Sequence, residues 1–149
     1  MAQEHFPQAY LPEMQALRQC QTENRRYGLE ISEEALRELV ALHHEALRQS
    51  GRVEFGVGIL PKLMAAFRSS PYVDRESFPE ILGQLQDSFY AFKNESRDLF
   101  SDDEIIEWMA SVFNGCAHGS TEILDVISLD QLCRWARDPD AAGDLEELV

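Results

Sequence analysis

Few residues in this chain have the types and spacing to do chemistry. His43 and His44, with Cys116 and His118, are ligand types for zinc. Neighbouring side chains on a helix diverge by about 100°, and Cys116-Ala117-His118 lacks the usual two-residue gap. The spacing therefore argues against a metal centre and for His43 as a satisfied core residue. Neither His-Glu-x-x-His nor the Glu-x-x-His of di-iron bundles occurs. Gly56-Val57-Gly58-Ile59-Leu60-Pro61 precedes a helix, with Arg52 and Lys62 close by in sequence. Glycines let the backbone approach a ligand, and a helix N-terminus attracts anions, so Arg52, Gly56, Gly58 and Lys62 form one candidate anion or small-molecule site. The loop lacks the third glycine of a dinucleotide fingerprint and the Gly-Lys-Ser/Thr ending of a P-loop. Its other reading is a tight connection using glycines at positive φ. Asp102, Asp103, Glu104 and Glu107 are clustered carboxylates, but they begin a helix, where acid is favoured for capping and dipole reasons. Cys116 follows a helix end, whose negative pole raises a thiol pKa. No catalytic motif emerges, so the expectation is a non-enzymatic protein without cofactor or metal.

The elements that position these residues are helices. Pro12 opens one through Leu17 and Cys20, ending before Gly28. Ser32 caps a second over 32–50, with Leu36, Leu39, Val40, His43 and Leu47 on one stripe and Ser50-Gly51 as its stop. Val53, Phe55, Val57 and Ile59 alternate like a strand, yet nothing else in the chain could pair with them. Residues 51–58 are read as a Gly-containing extended connection feeding a helix at 59–69. A longer helix over 77–96 places Ile81, Leu82, Leu85, Phe89 and Phe92 on one face and Tyr90 opposite them. Ser101-Asp102-Asp103-Glu104 is a capping box with Phe100 and Ile105 as its staple. Ser128-Leu129-Asp130-Gln131 repeats the device, so a separate helix is expected to start there, after a short turn at Ser120. The expected fold is one all-α domain of six or seven helices over 1–137, followed by an acidic tail at 138–149.

Charge supplies the functional expectation. Of the net −14, residues 1–70 hold about −1, and residues 71–149 hold about −13, with 5 Lys/Arg against 18 Asp/Glu. Such a surface repels nucleic acid and anionic lipid and attracts basic surfaces. No apolar run approaches the roughly 20 residues needed to span a bilayer. Three widely spaced cysteines suit free thiols, and the start lacks a signal peptide, so the chain reads as cytoplasmic. Trp108 and Trp135 flank their apolar stripes, and such aromatics anchor interfaces or cap small cores. The leading expectation is a protein-binding or adaptor role through the acidic C-terminal half, with Tyr90, Asp102, Asp103, Glu107 and Trp108 as contacts. The expected partner is a protein with a basic surface, its identity open, and a homodimer through the 77–96 face is compatible with it.

The stretch from Arg26-Tyr27-Gly28-Leu29 through Gly51-Arg52-Val53-Glu54-Phe55-Gly56-Val57-Gly58-Ile59-Leu60 resembles a family of small uncharacterised bacterial proteins, found mainly in clostridia and related Gram-positive species. Ser70-Pro71-Tyr72-Val73 and Tyr90-Ala91-Phe92-Lys93-Asn94-Glu95-Ser96 look like two more of its pieces. The resemblance covers about residues 25–137. It departs at Val57, where glycine is expected, and at Arg68-Ser69-Ser70, where a cysteine-containing turn is expected. It implies no activity and no catalytic residues.

Overall fold

The computed structural model describes residues 10–54 and 56–138, and the acidic-tail expectation falls almost wholly outside them. Six helices and no strand occur among the described residues: α1 (Leu11–Arg26), α2 (Glu33–Ser50), α3 (Leu60–Phe67), α4 (Phe78–Glu95), α5 (Asp102–Asn114) and α6 (Thr121–Arg137). Their starts follow local chemistry. The Ser32 hydroxyl accepts from Ala35 N at 3.1 Å, and Gly51, at φ 70°, takes the left-handed conformation that closes α2. At α5 the capping box is complete, with Glu104 N donating to Ser101 Oγ and Ser101 N donating to Glu104 Oε1. Proline sits in the first turn of α1, α3 and α4, where its missing N–H removes no helical bond.

Helix α4 is the hub, packed against α2, α3, α5 and α6. It buries the expected Leu82, Leu85, Phe89 and Phe92, and the buried face widens to take in Gln86 and Tyr90 beside them. Burying one such apolar side chain contributes about 1.5–3 kcal/mol, which outweighs the helix propensity of any residue around it. Packing against four neighbours widens the buried face of a hub helix and leaves Glu80, Gln84 and Asp87 on the exposed side. Tyr90, expected opposite the stripe and open, is therefore only 2 % exposed.

Two further expectations are corrected. Helix α6 runs unbroken from a cap at Ser120, whose hydroxyl accepts from Ile123 N, so Ser128 is helix interior and not a start. Ser128 is buried, and its hydroxyl accepts the Trp108 indole N–H at 2.8 Å. Trp108 and Trp135 are core: their rings meet edge-to-face at 5.3 Å, and Phe100 packs on Trp135 at 5.4 Å. The sequence pattern at 128–131 satisfies a capping box, but the tertiary hydrogen bond to Trp108 uses the serine instead.

Candidate functional site

The most concentrated chemistry lies where α1, α2 and α4 meet the 52–59 connection. His43 is buried on the apolar stripe of α2, and both of its ring nitrogens are engaged. Nδ1 lies 3.1 Å from Glu13 Oε2, while Nε2 lies 2.9 Å from Glu54 Oε1 and 3.0 Å from the Tyr90 hydroxyl. That hydroxyl donates to Glu54 Oε2 at 2.6 Å, so its oxygen and Glu54 Oε1 both accept from a protonated Nε2. Glu13 turns its second oxygen to His44 Nε2 at 2.7 Å, and the His44 ring stacks on Tyr10 at 4.0 Å. Burial by itself pushes the His43 pKa down. Hydrogen bonds donated to the Glu54 and Glu13 carboxylates, and the charges of those groups, more than reverse this, so His43 holds its proton above the ordinary imidazole range. Burial likewise works against an ionised Glu54, and the His43 and Tyr90 bonds overcome it and hold the carboxyl below its usual range. For Tyr90, burial and the Glu54 carboxylate act together to raise the pKa, so the phenol stays protonated and donates.

Gly58 belongs to this cluster. It takes φ +80°, and a Cβ there would stand 2.4 Å from His43 Cε1 and 2.8 Å from Nε2. The glycine is needed so that the chain can pass over the imidazole. At Gly56, φ +86°, a Cβ would meet nothing within 4 Å. The two cations expected to serve an anion here are already engaged. Arg52 donates from Nε to Asn94 Oδ1 at 2.7 Å and pairs with Asp98 at 2.8 Å. Lys62 pairs with Asp103 at 2.8 Å. The depression beside the loop is lined by Glu54, Val57, Gly58, Ile59, Lys62 and Asp102, two carboxylates to one lysine, and neither Arg52 nor Gly56 reaches it.

The five expected partner contacts do not all reach the surface. Tyr90 and Trp108 are buried, at 2 % and 4 % exposure. Asp102 pairs with Lys93 at 2.5 Å, Asp103 pairs with Lys62, and Glu107 stays exposed. Open acidity lies elsewhere. A groove of about 480 Å³ between α2 and α4 is lined by Glu38, Glu76, Glu80 and Asp87, with no Lys or Arg among the described residues of its lining. Leu39, Pro79 and Gly83 contribute to its floor, and Leu42, at 50 % exposure, stands within it. Burial, reinforced by the charge of Asp125, raises the Asp87 pKa, and burial against an opposing Ser88 bond raises that of Asp125.

Glu13 and Glu54 are site residues that sequence spacing does not single out. Glu13 shares the buried face of α1 with Leu17, Gln21 and Asn24, so a carboxylate at an apolar stripe position was the available signal. Glu54 carried none, because alternation around Val53 and Phe55 places it on a polar side. All three cysteines are free. A family model described as "Family of unknown function (DUF6323)" matches residues 16–141. No curated protein and no solved structure matches the chain.

Proposed function

The chain belongs to this family of unknown function, which carries no activity over to it, and we propose that it is a non-enzymatic protein-binding domain whose partner presents a basic surface. The observation that carries this reading is the α2/α4 groove, with four carboxylates, no cation among the described residues of its lining and a half-exposed leucine. Three of those acids come from the strongly acidic 71–149 half. An amphipathic helix with lysines flanking an apolar stripe matches the groove in charge and in its apolar floor. The charge contributes steering and salt-sensitive association, while Leu42 supplies area removed from water. Asp102 and Asp103 contribute less, because Lys93 and Lys62 already neutralise them.

Fluorescence anisotropy with a labelled Lys/Leu amphipathic helical peptide tests this reading. Wild type should bind the peptide with an affinity that falls as salt rises. The triple variant Glu38→Gln, Glu80→Gln, Asp87→Asn should lose at least about tenfold, corresponding to roughly 1.4 kcal/mol. The pair Asp102→Asn, Asp103→Asn should bind nearly as wild type. Equal loss in both variants would mean that only net charge is read, and would sink the groove as the contact surface.

A further inference from the structure

We infer that Glu13, His43 and His44 form a binding site for one divalent transition-metal ion of the zinc class. Neighbouring histidines diverge on a helix, which on spacing alone disfavours a shared ion. The fold removes that objection by using different nitrogens. His43 presents Nδ1, close to its own backbone, and His44 presents Nε2, at the far end of its ring. The Glu13 carboxylate, brought in by α1, meets both, at 3.1 Å and 2.7 Å. The three ligand atoms lie within 4.8 Å of one another. Ligands held at about 2.0–2.2 Å around a tetrahedral ion stand roughly 3.3 Å apart, so small rotations of side chains admit the ion. Entry is from the His44 side, where that side chain is 28 % exposed while His43 is 2 % exposed.

The groups behind the ligands point the same way. A metal-bound histidine typically donates its other ring N–H to a carboxylate, which fixes tautomer and orientation. Here Tyr90 donates to Glu54, and both accept from His43 Nε2–H, so Nδ1 is the nitrogen left to face an ion. The charge balance agrees. Glu13 is buried, and its two carboxylate oxygens face the two imidazoles. As the ion enters, any proton that either ring directs at Glu13 is released, and N–H···O contacts become N–metal–O bridges. Two imidazoles and one carboxylate suit zinc, cobalt or nickel, whereas calcium takes six or more oxygens and magnesium prefers an octahedral oxygen shell. Three protein ligands leave the fourth position to water.

The test is titration of chelator-stripped, chelator-free protein with Co²⁺, followed by Zn²⁺ displacement, read by visible absorption and isothermal calorimetry. The expected result is one equivalent bound, a d–d band of tetrahedral intensity that Zn²⁺ abolishes, and a rise in melting temperature with metal. His44→Ala, at the more open of the two histidines, should abolish binding while circular dichroism stays unchanged. Tyr90→Phe, which touches no ligand atom directly, should weaken binding by about tenfold or more. A Cys116→Ser/His118→Ala variant should bind as wild type. Absence of one-equivalent binding in wild type, or its persistence in His44→Ala, would overturn the site. Neither result bears on the α2/α4 groove, whose residues are not ligands.

Discussion

At the residue scale, the two loop glycines separate conformational from steric need. Both adopt positive φ, so Gly56→Ala should cost roughly 1–2 kcal/mol from backbone strain. Gly58→Ala adds a Cβ 2.4 Å from His43 Cε1, against a ring pinned at both nitrogens. Its cost should exceed that of Gly56→Ala by about 1–3 kcal/mol, because overpacking a filled site forces its neighbours to move. Urea unfolding of the two variants checks the order, and equal midpoints would show that the connection yields. Tyr90→Phe removes the hydroxyl that serves both Glu54 and His43 while keeping the ring. It should lower stability by about 1–3 kcal/mol, the cost of leaving buried polar groups short of a partner.

At the element scale, α5 and α6 are joined by a polar bolt inside an aromatic core. Ser128→Ala deprives the Trp108 N–H of its acceptor and should cost about 1–3 kcal/mol. Had Ser128 capped a separate helix, the loss would instead show as reduced helicity beyond 128, so circular dichroism beside the unfolding midpoint separates the two accounts. Between α4 and α6 the case is reversed. Asp87 has its pKa raised by burial and by Asp125, so above that pKa the folded chain must hold an ionised acid in a poor setting. The native state then binds more protons than the unfolded state, and this group's contribution to stability falls as pH rises through the window between its unfolded and folded values. Asp87→Asn should therefore raise stability at pH 7 by no more than about 0.5–1 kcal/mol, given solvent screening. The gain should vanish below the unfolded carboxylate range near pH ~3.9, and a stability loss at pH 7 would contradict the direction.

At the scale of the whole molecule, a net charge of −14 on 149 residues sets a self-repulsion that surface pairs such as Lys62–Asp103 only locally offset. Raising salt from about 10 mM to about 150 mM shortens the Debye length from roughly 30 Å to 8 Å and should raise the melting temperature; a fall would mean that the ion pairs outweigh the repulsion. No helix among the described residues is long and apolar enough to cross a membrane. The helices were legible in the sequence because caps, staples and 3.6-residue stripes are local signals. Ser32, Gly51 and the Ser101/Glu104 box read as they fold. What tertiary structure decided was which helix sits at the centre and which residues it brings together. Placing α4 against four neighbours buried Tyr90, packing α5 on α6 spent Ser128 on Trp108, and carrying α1 across α2 set Glu13 between two histidines. The physical reason is range. Capping and periodicity act within a few residues, whereas Glu13 and His43 are 30 apart and Tyr90 and His43 are 47 apart, and only the packed core sets those distances.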